Sequence, residues 1–401
     1  MKGKGFLEFI AELYDENQAI NESKLISSYI HYCGESSGLS IMVETESGND
    51  VVEDYEQSRI IKEAIYNIYG GNRFLFLNSA IILDLKNKSN SKMNLHPILY
   101  LDTQAVSYLN RYMDEDTRYL LKEEVIEVLS AIRSSKMEVR LDLYLFENIT
   151  KMSSETSRNG VYSDLKGISI FFKENLKDTI TLEERYKSIL DMSLDHNSVA
   201  WEVKNYHYNA YYAIVLKMVI LNKDKHKSKL EKMIEFLTFL NEEIGLILKR
   251  EIFLMDCLID ESTSLTRFFK GLNNPQKINE NKVNVIRGIA WDLLHFRILE
   301  QRLRINGYNI EIPYVLSFDQ RFNDLFNVFS YKFSIFDANS GKVTSVEEKE
   351  VLNVLSMKYG ENISDAVCKI KENKEKRKNM WKRINVTYLE GLILKLEQQL
   401  V

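Results

Sequence analysis

The scarcity of proline and glycine is the feature that most restricts how this chain folds. The sequence contains 3 Pro and 16 Gly among 401 residues, and these two residue types are the strongest local breaks in regular structure. A turn-rich β fold needs many such breaks, whereas long helices need few. The sequence therefore predicts a structure rich in long helices. Because 45% of the residues are hydrophobic, the chain can form a sizeable core, and disorder is not expected over most of its length.

The net charge and the cysteines exclude several classes of site. Nucleic-acid-binding proteins are often basic overall, but the formal net charge here is -5, so any phosphate-binding surface must be a local patch. Cys33, Cys257 and Cys368 lie far apart without CxxC spacing, which indicates neither a disulfide framework nor a zinc site. The nucleotide-binding motifs GxxxxGKS/T and GxGxxG do not occur, so nucleotide-driven chemistry is not indicated.

The N-terminus lacks the apolar region of a signal peptide. No uncharged run approaches the roughly 18 residues that a membrane-spanning helix needs. We therefore expect a cytoplasmic protein with no membrane association.

Hydrophobic periodicity indicates where helices and strands alternate. Short apolar runs at 73–86 and 97–102 are typical of buried strands, and so are 313–318 and 331–336. Helical periodicity fills most of the remaining chain. The longest helices are expected at 201–223, 229–259 and about 282–306, the last ending near Gly307.

Few strands separated by helices predict an α/β fold with a parallel sheet, extended by helical material. We expect three regions: a mainly helical N-terminal region with short strands (1–94), an α/β domain (95–336) interrupted by a helical block at about 160–272, and a helical C-terminal region (337–401).

Two of the predicted strands end in aspartate. Asp102 ends the run 97–102, and Asp319 follows the run 313–318. Active sites of open parallel sheets form at the carboxyl ends of the strands, so these two carboxylates are candidates to meet at one edge. Clustered carboxylates are unfavourable unless a cation neutralises them. Mg²⁺ or Mn²⁺, which accept oxygen ligands and retain water, would suit such a cluster.

A third acidic residue, Asp292, lies on an apolar face of the helix expected at about 282–306. A carboxylate on a core-facing stripe needs a partner or a metal, and His295, one turn further on, could pair with it. The other members of this face, at spacings of 4, 3, 4, 3 and 4 residues, are Val285, Ile289, Phe296, Leu299 and Leu303.

The fourth acidic residue stays open between two positions. Asp142 and Glu147 both lie in the helix-like apolar run 137–150, and either could project beside the sheet. Ser317, two residues before Asp319, could orient that carboxylate or satisfy the backbone.

These residues together resemble the PIN-like nuclease family. Its domains open with an apolar strand ending in Asp and followed by a helix, as in 98-ILYLD-102. A second acid follows further along, where Glu147 stands, and a third lies on a later helix, as in 291-WDLLH-295. A fourth follows a strand in a Thr/Ser-x-Asp pattern, as in 317-SFD-319. The resemblance covers residues 95–335, with the helical block as an unusual insertion.

The resemblance implies hydrolysis of phosphodiester bonds, most often in RNA, with Mg²⁺ or Mn²⁺ bound by Asp102, Glu147, Asp292 and Asp319. His295 and Ser317 would support these ligands. One departure concerns Gln104, where the family often has Asn. The same Gln argues against a haloacid-dehalogenase-type phosphatase, which has a second Asp at that place, and Gln320 and Arg321 argue against a Toprim-type site.

Each of these residues also has a purely structural interpretation. Asp102 and Asp319 both precede helices and could be N-caps. Asp292 could form an ion pair with an arginine or lysine, Glu147 could lie on a solvated helix face, and His295 could be a hydrogen-bonding core residue.

The segment 369–383 is strongly basic and contains Trp381. It could bind nucleic-acid phosphates and stack a base, or it could be a solvated helix surface. The residues predicted to contact nucleic acid are Lys376, Arg377, Lys378, Lys382 and Arg383.

Together with the resemblance, the sequence thus predicts a nuclease that acts on RNA rather than DNA and has a toxin or phage-defence role. The helical regions could bind a protein partner, and the protein could form oligomers. The alternative is a non-catalytic helical interaction or regulatory protein.

Overall fold

A computed structural model provides the structure of the chain. It describes residues 22–33, 38–52, 58–88, 93–135, 137–149, 155–172, 199–262, 265–270, 272, 280–329, 331–347 and 350–400.

The described residues form a mixed α/β structure with two sheets. The chain separates into two compact units, each assembled from three segments. The first contains residues 1–143, 297–318 and 330–349, and the second contains 144–296, 319–329 and 350–401. The sequence predicts three consecutive regions with boundaries at residues 94 and 336, which do not coincide with these two units. That division stays a prediction.

The first unit contains all the strands that the structure describes. They are β1 (Leu39–Asp50), β2 (Ile65–Tyr66), β3 (Arg73–Leu77), β4 (Asn94–Leu101), β5 (Glu138–Arg140), β6 (Arg304–Asn306), β7 (Asn309–Leu316), β8 (Tyr331–Asp337) and β9 (Lys342–Glu347). Its helices are α1 (Glu22–Tyr32), α2 (Ser58–Ala64), α3 (Ser79–Asn87), α4 (Thr103–Met113), α5 (Glu115–Arg118) and α6 (Glu123–Ser135).

One sheet of this unit is antiparallel, with strand order β3-β1-β8-β9. Helices α1 and α3 contribute apolar side chains to its core, because their sequences present hydrophobic residues at helical spacing. The buried residues of this core are Leu25, Tyr29, Ile41, Val43, Leu77, Ile82, Phe333, Ile335 and Val346.

The other sheet is mixed, with strand order β2-β7-β4-β5 and β6 paired to β7. Its middle strand β4 runs parallel to β7 on one side and to β5 on the other. The pairing with β7 is continuous from Asn94↔Asn309 to Leu101↔Leu316. Successive residues Ile98–Leu101 are all buried, as expected for a strand covered on both faces.

Two local differences from the sequence-based expectation have simple causes. The run 73–86 is a strand only to Leu77, because Asn78 caps α3 by accepting a hydrogen bond from the Ile81 amide. Gly307 does not end a helix. The long helix ends at Glu300, and Gly307, with φ of 60°, lies in the turn between β6 and β7.

The second unit is helical. It includes α8 (Glu155–Phe171), α9 (Val199–Glu202), α10 (Asn209–Lys223), α11 (Lys229–Phe239), α12 (Lys249–Ile259), α14 (Gln320–Val328), α15 (Val351–Tyr359), α16 (Glu361–Glu372), α17 (Lys374–Trp381) and α18 (Val386–Leu400), with α7 (Asp142–Ile149) and α13 (Glu280–Glu300) contributing residues to both units. Two π-helical segments, π1 (Val203–Tyr208) and π2 (Leu240–Ile244), interrupt the α-helical pattern.

The helix expected at 229–259 is divided at Gly245. This residue follows π2 with a left-handed φ of 71°, and the next helix begins only at Lys249. A Cβ at position 245 would lie 3.2 Å from both the Arg377 carbonyl oxygen and the Trp381 amide nitrogen. Glycine therefore permits both the turn and the close approach of α17.

Among the described helices, none combines the length with the apolar composition that crossing a lipid bilayer requires.

The bulge in β1 generates the first prediction. Both Glu44 and Asn49 pair with Phe74, and a Cβ on Gly48 would lie 2.6 Å from backbone atoms of Phe74. We expect Gly48→Ala to lower the free energy of unfolding by about 1–3 kcal/mol, since the strands must separate to admit the methyl group. Denaturant unfolding followed by circular dichroism measures the change.

Gly160 provides the matched control. It lies inside α8 with no atom near the position of an added Cβ, so Gly160→Ala is expected to stabilise by about 0.5–1 kcal/mol. Equal effects of the two substitutions would contradict the assignment of a tight contact at Gly48.

Candidate functional site

The carboxyl edge of the parallel strands carries polar residues in the first unit. Asp102 follows β4, Ser317 follows β7, and Asp142 lies two residues after the end of β5. The register pairs Leu101 with Leu316 and Tyr100 with Arg140. Because these strands are parallel and adjacent, all three residues leave the sheet at the same edge.

Asp102 is buried, with 8% of its surface exposed, and donors from two elements hold its carboxylate. Its Oδ1 accepts a hydrogen bond of 2.6 Å from the Ala105 amide and thereby caps α4. Its Oδ2 accepts a hydrogen bond from the Ser317 hydroxyl. Asp102 is therefore an N-cap, as its structural interpretation predicts, and it also accepts a hydrogen bond from Ser317 that capping does not need.

The Ser317 hydroxyl contacts a carboxylate that the sequence pattern does not connect with it. The sequence predicts that it orients Asp319 or satisfies the backbone, whereas its side chain donates to Asp102, 215 positions earlier in the chain. Ser317 is buried, with 3% of its surface exposed. Adjacency of β4 and β7, which the sequence pattern does not reveal, brings the two side chains together.

Gln104, in the first turn of α4, has an unusual side-chain oxygen. Its Oε1 is buried and has no hydrogen-bond partner among the described residues. A buried amide oxygen without a hydrogen-bond donor lowers the stability of the fold by about 1–3 kcal/mol. This oxygen belongs to a residue two positions after Asp102. The sequence identifies this residue only as a departure from the PIN-like pattern.

Aromatic residues flank the same edge. The rings of Tyr108, on α4, and Phe318, which follows Ser317, lie 5.1 Å apart between centroids. Both are half-buried. The exposed Arg111 guanidinium lies 5.8 Å from the Tyr108 ring.

Asp142 is paired with a cation of its own unit. Its Oδ2 lies 3.0 Å from Arg302 Nη2. Burial raises the pKa of the neighbouring Tyr100, although Arg302 and Arg140 oppose that effect. Of the two alternatives for the fourth acid, Asp142 belongs to the first unit, like Asp102, whereas Glu147 belongs to the second.

In the second unit, α13 carries Asp292 and His295 beside a stack of aromatic rings. Trp291 stacks on Tyr208 of π1 with centroids 4.4 Å apart, and it also contacts His295 at 5.5 Å. His295 is 2% exposed and lies against Phe322 as well, consistent with a core residue. Burial raises the pKa of Tyr208, and the negative charge of Glu147 adds to this rise.

Asp319 caps α14 and pairs with an arginine two residues later. Its Oδ2 lies 2.7 Å from Arg321 Nη2, and its Oδ1 accepts from the Arg321 amide at 2.8 Å. Burial alone would raise the pKa of Asp319, but the Arg321 hydrogen bonds and charge outweigh it and lower the pKa. The hydrogen bond with Asp319, together with the negative charge of Asp292, raises the pKa of Arg321.

Arg321 thus supplies positive charge to two of the predicted metal ligands. Arg321 also lies close to α13, because its Nη2 is 4.0 Å from the position that a Cβ on Gly288 would take. The sequence pattern alone does not connect Arg321 with the acidic residues. The signal that could have identified it is an arginine placed just after the strand-ending Asp, where it can reach back to the carboxylate.

The residues predicted to contact nucleic acid divide into two groups. Arg377 points inward, donating to Asn241 Oδ1 at 3.0 Å and to the Ile370 carbonyl. The other four are exposed: Lys376, Lys378, Lys382 and Arg383.

Within the described ranges, no three His, Cys, Asp or Glu residues gather into a group that could hold a metal ion. The predicted ligand roles of Glu147, Asp292 and Asp319 stay predictions.

No protein-family model, no curated protein and no solved structure matches this chain. The PIN-like resemblance therefore stays a prediction as well.

The Asp319–Arg321 pair generates a pH-dependent prediction. An aspartate whose pKa is lowered by folding stabilises the protein above its ordinary pKa of 3.8, and this contribution disappears as the pH falls through the lowered value. We expect Arg321→Gln to destabilise by about 1–2 kcal/mol at pH 7, and the difference from wild type to shrink below pH 4. Denaturant unfolding between pH 3 and pH 7 measures it.

Arg59→Gln is the control, because Arg59 forms an ion pair with Glu63 in which both side chains are largely exposed. Such a pair contributes little. A constant Arg321→Gln effect across the pH range would show that the pair does not act through the Asp319 charge.

Proposed function

We propose that this protein is a divalent-metal-dependent nuclease whose site is centred on Asp102, at the carboxyl edge of a PIN-like parallel arrangement formed by β7, β4 and β5. The observation that carries the proposal is the buried Asp102 carboxylate, held by donors from two different elements. An N-cap needs only the Ala105 amide. The additional Ser317 hydroxyl fixes the orientation of the carboxylate, as a ligand for an ion or a substrate requires.

Strand order supports this location. The chain moves from β4 to β5 on one side and later returns with β7 on the other side of β4. At such a reversal the connections leave in opposite directions and open a crevice at the carboxyl ends of the strands. Asp102 and Ser317 follow the two strands that border this reversal.

The side-chain oxygens proposed as ligands at this edge are of the type that Mg²⁺ and Mn²⁺ bind. Carboxylate oxygens are ligands that Mg²⁺ accepts, and the buried Gln104 Oε1 is a neutral oxygen without a hydrogen-bond donor among the described residues. Mg²⁺ is commonly bound through one or two carboxylates, with waters and substrate phosphates completing its shell. The proposal is therefore compatible with the absence of a three-acid group from the described ranges.

Each side chain has a defined part in the proposed reaction. A bound divalent ion would lower the pKa of water and stabilise charge on the attacked phosphate. Asp102 would hold the ion, and Ser317 would keep the carboxylate oriented. Tyr108 and Phe318 would offer ring faces to an unpaired base, and Arg111 would attract a phosphate.

The first test is cleavage of RNA and single-stranded DNA with Mn²⁺. We expect Asp102→Asn to reduce the rate by about 100-fold or more, because the ligand charge is lost. Its stability should change little, since Asn caps helices about as well as Asp. Asp292→Asn, tested alongside, reports whether the prediction for the second unit holds.

Asp114→Asn is the matched control, because Asp114 also caps a helix but is exposed. Full activity in both Asp102→Asn and Asp292→Asn would remove the proposed site. Loss in Asp102→Asn alone would restrict it to residues of the first unit.

A thermal-shift measurement separates the nuclease from the non-catalytic alternative. A ligand at 100 times its Kd stabilises by about 2.7 kcal/mol, so millimolar Mn²⁺ should raise the Tm of the wild type and of Asp114→Asn, but not that of Asp102→Asn. No shift in the wild type would support a helical interaction protein instead.

A further inference from the structure

The helices α16 and α17 and the turn that follows present a strongly basic surface. Its members are exposed, and none forms an ion pair with a carboxylate of the described residues. We refer to this set as the basic surface: Lys369, Lys371, Lys374, Lys376, Lys378, Lys382 and Arg383.

This arrangement is unfavourable for the helix that carries it. Lys374, Lys378 and Lys382 lie four residues apart on one stripe, and like charges at this spacing destabilise a helix. Helix α17 also buries none of its residues. Glu372 and Glu375, the acids within this segment, are exposed and do not form ion pairs with it.

Other contacts hold α17 in place. Arg377 donates to Asn241 Oδ1 and the Ile370 carbonyl, and the Tyr206 hydroxyl donates to the Trp381 carbonyl at 2.7 Å. The Trp381 ring packs edge-on against Tyr206, with centroids 4.7 Å apart. One cation and the aromatic residue therefore anchor the helix, while the remaining cations stay in solvent.

Because Arg377 and Trp381 anchor the helix while the other cations stay exposed, we infer that the basic surface binds the phosphate backbone of a nucleic acid. Unpaired cations on a fixed support bind polyanions by releasing condensed counterions, without reading sequence. The overall charge of -5 makes the local patch the place where such binding is favourable. Trp381 is not expected to stack a base, because its ring already packs against Tyr206.

An anionic membrane fits this surface less well. Amphipathic membrane-binding helices combine basic residues with an exposed apolar face. In the segment 369–383, Ile370 is buried, and Met380 and Trp381 pack against the core around Ala210. The segment has no exposed large apolar residue to insert into a membrane.

The inference goes beyond the proposed nuclease activity, because backbone binding requires no metal. Binding is measured by fluorescence anisotropy of a labelled 20-nucleotide single-stranded RNA, in EDTA, at salt concentrations from 50 to 200 mM. A DNA strand of the same sequence and an anionic phosphatidylserine vesicle serve as second and third probes. Cleavage is assayed separately with Mn²⁺.

The test variant replaces Lys374, Lys376, Lys378 and Lys382 with Gln. We expect its Kd for RNA to rise about tenfold or more at 50 mM salt, with a shallower salt dependence, since each lost phosphate contact reduces the slope by about 0.7 for single strands. A second variant with Arg at the same four positions should bind like the wild type.

The matched control removes the same charge elsewhere, at the exposed residues Lys122, Lys225, Lys270 and Lys342, and should leave the Kd within about twofold. Three outcomes would overturn the inference: unchanged binding in the test variant, equal weakening in the control, or binding of the vesicle but not of RNA. If the wild type binds RNA but does not cleave it with Mn²⁺, only the proposed nuclease activity is rejected.

Discussion

The parallel pairing of β4 with β7 is the interaction on which the candidate site depends. It joins residues more than 200 positions apart and keeps one register over eight successive pairs. A shift of that register by one residue would turn every side chain of β7 to the opposite face, and Ser317 would no longer meet Asp102. The hydrogen bond between these two residues closes the end of the ladder, so the geometry of the site follows from backbone pairing.

The sequence predicts much of the local structure but not the long-range pairing. The strand predicted at 97–102, the long helix carrying Asp292 and the strand predicted at 331–336 correspond to β4, α13 and β8, because period and composition are local properties. The length of β1 was not expected, since 39–50 is rich in polar residues and small turn-forming types. Its antiparallel neighbours β3 and β8, one of them distant in the chain, explain why it is a strand.

The predicted acidic residues illustrate a limit of pattern reading. The sequence indicates which carboxylates need a compensating charge, but not which cation supplies it. For Asp319 the structure provides Arg321, and for Asp142 it provides Arg302, the latter from a distant segment. For Asp102 the structure provides the Ala105 amide and the Ser317 hydroxyl as hydrogen-bond donors. The Ser317 contact, which the sequence does not reveal, is the reason for centring the candidate site on Asp102.

The three-segment composition of the first unit has a consequence for synthesis on the ribosome. Strands β1 and β3 emerge early, but their sheet also requires β8 and β9, which are translated after most of the chain. Until then the open edge of β1 would present unpaired backbone groups, which favour association with other chains. The nascent protein is therefore expected to depend on chaperone protection until translation has passed residue 347.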